Sequence, residues 1–243
     1  MARSQHVHIA GEPVLLREYG SLCLSGKRTV SCRPHLHEPG QLPKGIRRAA
    51  SPPPTTVMAL ELTNIAIDVK RKNLLLLDRA LAPEVPIVSS SVTVTVAEQS
   101  SWIRTPRRLI GLGALPTLLE GSLVELVASP AADAKIVASV TGFFESLGKE
   151  VSLVKDSIGL VMPRVLCTLA NEAYFAMMEG VAAGQDIDTA MKLGTNYPAG
   201  PVERAGRIGL GSVCAVLSAL HRHFGEERYR LAPSLQQAAC ANP

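Results

Sequence analysis

The stretch "VMALELTNIAIDVKRKNLLLLDRALAPEVPIVSSS", residues 57–91, decides the fold class. Its apolar run at 57–62 predicts a buried strand. The helical spacing of apolar side chains across 66–82 predicts an amphipathic helix, with Lys70 on its polar face. Pro83 ends that helix, and residues 87–88 predict a second short strand that leads into serines. A strand, a helix and a strand in this order predict a βαβ unit with parallel strands.

The same alternation continues downstream and then stops. Strands are predicted at 108–112, 122–127 and 151–154, and a helix at 133–147. Beyond residue 155 only helical patterns remain. The sequence therefore predicts an α/β layer over 58–155 and an all-α domain over 156–243.

Residues 1–57 differ from the rest of the chain. They hold eight Lys/Arg and three Asp/Glu, which gives this segment a net charge of +5. Because the whole chain has a net charge of +4, residues 58–243 carry about −1. They also hold seven of the seventeen prolines, with "SPPP" at 51–54 marking a linker. Two interpretations stand: a disordered basic extension, or an aberrant segment in place of the true N-terminus.

Composition excludes several functional classes. Because the net positive charge comes from residues 1–57, the rest of the chain has no nucleic-acid signature. Five cysteines without a C-x-x-C pair favour reduced thiols and a cytoplasmic protein. Neither an apolar signal segment nor a membrane span is predicted. The His-x-His pairs at 6/8 and 35/37 lack further ligands at suitable spacing, so no metal site is predicted.

One carboxylate interrupts an apolar strand. Glu125 lies in "LVELV", residues 123–127, where burial is costly unless the charge has a partner or a task. We predict that Glu125 is buried and that a function explains its presence in this strand.

The helical half carries a family likeness. "GQDIDTAMKLGTNYPAGPVERAGRIGLG", residues 184–211, and "NEAYFAMMEGVA", residues 171–182, resemble the C-terminal domain of NAD-dependent 3-hydroxyacyl-CoA dehydrogenases, including the 3-hydroxybutyryl-CoA dehydrogenases. Residues 58–127 resemble, more weakly, the second half of that family's Rossmann-type domain. The resemblance covers roughly 58–240. It implies a partial Rossmann-type parallel sheet followed by a helical domain that forms a homodimer.

The resemblance also implies a chemistry: oxidation of a 3-hydroxyacyl-CoA to a 3-ketoacyl-CoA, with hydride transfer to NAD. In this family a His acts as general base and a buried Glu orients it. Glu125 corresponds to that Glu, and the His position is Gly113. Lys70 and Glu61 correspond to cofactor-binding positions. A serine that contacts substrate in this family falls on Val92, and the flanking Ser91 and Thr93 are therefore the expected substrate-binding residues.

The departures from the family pattern leave a second interpretation open. The catalytic His is absent at Gly113, with Glu120 nearby as a weak substitute base, and no G-x-G-x-x-G loop is found in residues 1–57. We therefore expect either an NAD-dependent dehydrogenase-like protein of fatty-acid metabolism or a catalytically inactive homologue that binds acyl-CoA or only dimerises. The basic charge of residues 1–57 leaves a third interpretation, an interaction protein that uses this segment as an electrostatic arm. A sheet that lacks its first βαβ unit is expected to fold poorly or to need a partner.

Overall fold

The computed structural model describes residues 5–34 and 42–241. It divides into two compact units, the first ending at Ser157 and the second beginning at Ile158. The first unit is built on an eight-stranded sheet with strand order β3-β2-β1-β4-β5-β6-β7-β8. Its strands are β1 (His6–Gly11), β2 (Thr29–Pro34), β3 (Ile46–Arg48), β4 (Thr56–Leu62), β5 (Ile87–Ser90), β6 (Leu109–Leu112), β7 (Leu123–Ala128) and β8 (Glu150–Leu153).

The prediction of a disordered extension and a partial sheet is wrong for the described part of residues 1–57. Strand β1, helix α1 (Pro13–Ser25) and β2 form a βαβ unit, and β1 pairs in parallel with both β2 and β4. The local pattern was obscured because prolines begin or connect elements: Pro13 starts α1, a position where a missing N–H costs nothing. The sheet therefore has its first βαβ unit and needs no partner to supply it.

The strands run parallel except at one pair, where β7 is antiparallel to β6. The remaining helices of the first unit are α2 (Ile67–Ala80), α3 (Val96–Ser100) and α4 (Ala134–Glu145). Alternate strand residues such as Ile9, Leu60 and Leu126 pack in one aliphatic core with side chains from α1 and α4. Because side chains alternate across a strand, Glu61 and Glu125 face away from that core.

The second unit is helical, as predicted. Its helices are α5 (Met162–Met178), α6 (Gly184–Thr195), α7 (Pro201–Ile208), α8 (Leu210–Phe224) and α9 (Pro233–Ala241). Among the described residues, no helix is long and apolar enough to cross a membrane.

The motif that carries the likeness has a structural explanation within this unit. The carboxylate of Asp188 accepts hydrogen bonds from the backbone N–H groups of Val202 and Glu203 at 2.8 and 2.9 Å, so it caps α7. A Cβ at Gly200 would lie 2.2 Å from Asp188 Oδ1. The Asp-to-Gly-Pro spacing therefore fixes how α6 and α7 meet.

Candidate active site

The strand order places a crevice between β1 and β4. Chain connections from β1 lead toward β2 and β3 on one side, whereas β4 leads toward β5 and β6 on the other. In open α/β sheets, ligands bind at the carboxyl ends of the strands where the order reverses in this way. That switch point lies between Gly11, at the end of β1, and Leu62, at the end of β4.

Gly11 is required by the close approach of these two strand ends. It has a φ of +144°, and a Cβ there would lie 2.5 Å from the backbone carbon of Leu62. The turn that follows has the sequence G-E-P-V-L-L, so only the first position of G-x-G-x-x-G is glycine. Pro13 and Leu16 occupy the second and third, and Pro13 has no N–H to offer a phosphate.

Glu12 crosses the switch point with its side chain. Its Oε1 accepts hydrogen bonds from the backbone N–H groups of Asn64 and Ile65, both at 2.7 Å. These two donors, which lie just beyond the end of β4, are called the switch-point amides below. Burial raises the pKa of the Glu12 carboxyl, and the bonds from Ile65 and Asn64 oppose that rise.

Asn64 joins three loops at this edge of the sheet, and sequence reasoning missed it. Its Nδ2 donates to the carbonyl of Ala114 at 2.8 Å, and its Oδ1 accepts from the Ser90 hydroxyl at 2.5 Å. The Thr93 hydroxyl donates to the Asn64 carbonyl at 2.8 Å. A polar residue two positions after a buried strand was the available signal.

The two predicted substrate contacts are both buried and bonded within the protein. Thr93 is 5% exposed and bonds Asn64, whereas the Ser91 hydroxyl donates to the Ser89 carbonyl and accepts from Gln99 Nε2, each at 3.1 Å. Both residues hold the loop after β5 in place. Their contact with a substrate stays a prediction.

The predicted dyad positions lie side by side. The backbone N–H of Gly113 donates to the carbonyl of Glu125 at 2.9 Å, which extends the antiparallel pairing of Leu112 with Leu126. The predicted burial of Glu125 is confirmed, since the residue is 5% exposed. Directly opposed residues of an antiparallel pair project to the same face, so a side chain at position 113 would emerge beside the Glu125 carboxylate. Gly113 supplies no such side chain.

The two predicted cofactor residues, Lys70 and Glu61, form a buried ion pair with each other. Lys70 Nζ lies 2.5 Å from Glu61 Oε2, both side chains are fully buried, and Lys70 also donates to the Thr63 carbonyl at 3.0 Å. Asn73 and Ser89 donate to the same carboxylate at 3.3 and 3.2 Å. The prediction that Lys70 lies on the polar face of its helix is wrong, because this carboxylate holds it inside. Cofactor contact by either residue stays a prediction.

No metal cluster occurs in the described ranges, where no three His, Cys, Asp or Glu side chains converge. His35 and His37 lie outside those ranges.

Glu120 is exposed in a short 3-10 helix, Leu118–Glu120, on the loop between β6 and β7. Three residues before Glu120, the backbone N–H of Thr117 donates to the carboxylate of Glu18 in α1 at 3.0 Å. That bond ties the loop to the β1–α1 region.

Two family models match the chain in the order of its two units. "3-hydroxyacyl-CoA dehydrogenase, NAD binding domain" matches residues 57–157, and "3-hydroxyacyl-CoA dehydrogenase, C-terminal domain" matches residues 159–242. The chain belongs to the NAD-dependent 3-hydroxyacyl-CoA dehydrogenase family. The predicted family and fold class are thus confirmed, apart from the completeness of the sheet.

Individual relatives agree with the family assignment. The chain is 33% identical over 161 residues to a probable 3-hydroxybutyryl-CoA dehydrogenase of Bacillus subtilis, covering 66% of this chain and 56% of that protein. It is 28% identical over 195 residues to human mitochondrial hydroxyacyl-coenzyme A dehydrogenase, covering 80% of this chain and 62% of the relative. Over half, but less than two thirds, of each relative's length is therefore matched.

The fold is shared with solved structures along nearly the whole chain. Against (S)-3-hydroxybutyryl-CoA dehydrogenase PaaH1 from Ralstonia eutropha the TM-score is 0.79, with 24% identity, 98% of this chain and 94% of that chain covered. Against FadB2 of M. tuberculosis the TM-score is 0.81, with 20% identity, 98% of this chain and 94% of that chain covered. These likenesses include the N-terminal βαβ unit that the family match, beginning at residue 57, does not reach.

NAD is the cofactor of this family, and the sheet topology and Gly11 fit a dinucleotide. The turn after β1 does not fit one as it stands. Pro13 removes a donor at the start of α1, and the Glu12 carboxylate lies across the switch point, where a pyrophosphate needs N–H groups and positive potential.

Proposed function

We propose that this chain acts as a 3-hydroxyacyl-CoA dehydrogenase-like protein, whose reaction is NAD-dependent oxidation of a 3-hydroxyacyl-CoA to a 3-ketoacyl-CoA. The observation that carries the proposal is the pairing of Gly113, which directly follows β6, with Glu125 in the first half of β7. It supports the placement of Glu125 as the carboxylate half of a base-and-orienter dyad. A functional role then explains why this carboxylate is buried within an apolar strand.

The residues at positions 113 and 125 provide only the carboxylate of that dyad. Removal of the substrate's hydroxyl proton needs a base within hydrogen-bond reach, and Gly113 has no side chain. Glu125 would orient an imidazole at position 113 and stabilise its charged form. The loss of a positioned general base costs about 10²–10⁴ in rate, so turnover by this chain is expected to be slow.

Restoring the base tests the proposal. Acetoacetyl-CoA reduction is followed by NADH absorbance in the wild-type protein and in Gly113→His, with turnover expected to rise about 10²–10⁴-fold. A second arm adds free imidazole to the wild-type protein, which needs no substitution in a buried strand end. The gain from either arm is expected to disappear in Glu125→Gln.

Two controls make the result specific. Gly142→His adds an imidazole on the exposed surface of α4, where a Cβ meets nothing within 4 Å, and is expected to leave turnover unchanged. Circular dichroism establishes that Gly113→His remains folded. The proposal is contradicted if a folded Gly113→His protein and imidazole-supplemented wild type both turn over no faster than wild type alone.

The second candidate function is acyl-CoA binding without turnover. The absent base at Gly113 and the Glu12 carboxylate at the switch point favour it. Calorimetry with acetoacetyl-CoA separates the two candidates: binding that is accompanied by no NADH oxidation in any arm of the test above supports the binding protein.

Homodimerisation and a cytoplasmic location are further parts of the proposal. Large apolar side chains are exposed on the helical unit, among them Val165, Val181 and Leu193, and a second copy would cover them. The described cysteines are all free thiols, which favours a reducing compartment. Sedimentation equilibrium tests the dimer, and Val181→Asp is expected to weaken it.

A further inference from the structure

The end of β4 offers an anion site that the chain fills itself. The switch-point amides, the N–H groups of Asn64 and Ile65, point at one carboxylate oxygen of Glu12 from 2.7 Å each. Two converging backbone donors are the arrangement that proteins use to hold carboxylates and phosphates. Here the anion belongs to the chain.

The position of this carboxylate matters because of the strand order. Glu12 directly follows β1, and its partners follow β4, so the side chain bridges the carboxyl ends of the two strands that flank the switch point. A dinucleotide bound at that crevice places its pyrophosphate next to the turn that contains Glu12. A charged carboxylate there repels the phosphates and keeps two N–H donors occupied.

The backbone holds Glu12 in this place. Its N–H donates to the Leu62 carbonyl at 3.1 Å, and its own carbonyl accepts from Leu16 at 2.8 Å, within the first turn of α1. Gly11, with a φ of +144°, brings this backbone against Leu62. Thus the side chain reaches the switch-point amides from a fixed anchor.

We propose that Glu12 is a determinant of cofactor affinity that holds the switch point closed to dinucleotides through its bonds to Asn64 and Ile65. NAD binds only when the carboxylate leaves these amides. This inference rests on the proposed function, because it concerns the cofactor of that reaction. It assigns to Glu12 a role opposite to that of a ligand-binding residue.

NADH titrations by calorimetry at neutral pH test the inference, with wild type, Glu12→Ala, Glu12→Gln and Glu145→Gln. Glu12→Ala removes both the charge and the acceptor, and is expected to bind NADH at least about tenfold more tightly than wild type. Glu12→Gln removes only the charge and is expected to lie between them. Glu145→Gln removes an exposed charge at the end of α4, away from the switch point, and is expected to match wild type.

Amide hydrogen exchange supplies a readout without any ligand. The amides of Asn64 and Ile65 are expected to exchange faster in Glu12→Ala than in wild type, relative to the amide of Leu60 within β4. Unchanged exchange at both amides overturns the inference, as does equal NADH affinity of wild type and Glu12→Ala, or the absence of NADH binding in both.

The outcomes separate this inference from the proposed function. A Glu12→Ala protein that gains NADH affinity but turns over no acetoacetyl-CoA, even with imidazole, supports the inference and contradicts the function. A wild-type protein that binds NADH as tightly as Glu12→Ala and turns over slowly supports the function and overturns the inference.

Discussion

Removal of the Lys70 ammonium is expected to destabilise the first unit strongly. Lys70→Met leaves the fully buried Glu61 carboxylate with two longer bonds, from Asn73 at 3.3 Å and Ser89 at 3.2 Å, and no cation. Removing one partner of a buried ion pair costs about 3–5 kcal/mol, because the remaining charge has neither water nor a counterion. Since two donors to the Glu61 carboxylate remain, we expect Lys70→Met to lower the free energy of unfolding by about 3 kcal/mol. The single Trp102 lies in this unit, so its fluorescence during urea unfolding reports the loss.

A cycle of variants isolates the pair. Lys72→Met, which removes an exposed lysine from the same helix, is expected to change the free energy of unfolding by less than about 0.5 kcal/mol. Glu61→Met combined with Lys70→Met is expected to cost less than Lys70→Met alone, because no charge is left buried. The reasoning is refuted if Lys70→Met costs no more than Lys72→Met. If Lys70→Met instead lowers NADH affinity at unchanged stability, Lys70 is the cofactor contact predicted from the sequence.

Two further predictions concern other elements. Burial, and then the charges of His6 and Arg33, lower the pKa of His8 in β1 from 6.5 to about 4, so the unfolded chain takes up a proton that the folded chain does not. The free energy of unfolding should therefore be highest above pH 6.5 and should fall by about 3 kcal/mol in all as the pH drops from 6.5 toward 4. In urea titrations, His8→Gln should flatten this pH dependence. Asp188→Ala removes the cap of α7 and is expected to cost about 1–2 kcal/mol and to speed hydrogen exchange at Val202 and Glu203, and unchanged exchange would contradict the capping role.

The sequence predicted the regular part of the fold because periodicity there is unbroken. The run at 57–62 became β4, and the apolar face of 66–82 became α2 with Leu74 and Leu77 buried. Burial of Glu125 also followed from its place in an apolar strand. In each case the local pattern and the tertiary environment demand the same residue types.

Two features were beyond local patterns. Strand β1 alternates His with apolar residues, and two of the three motif glycines are absent after it, so nothing local separated a central strand from a basic extension. Only pairing with β2 and β4 specifies it. The depth of Lys70 likewise depends on Glu61, nine residues earlier, and helical spacing alone places a lysine among solvated neighbours.

The position of β1 has a consequence for how the chain acquires its fold. The family match begins at residue 57, yet the strand that completes the parallel core, β1, comes from before it and lies directly beside β4. Without β1, the apolar β4 would be an open edge, a template for pairing with other chains. During synthesis β1 and α1 emerge before β4, so their surfaces are available when β4 needs a neighbour. The segment outside the family match therefore protects the family-like segment against aggregation.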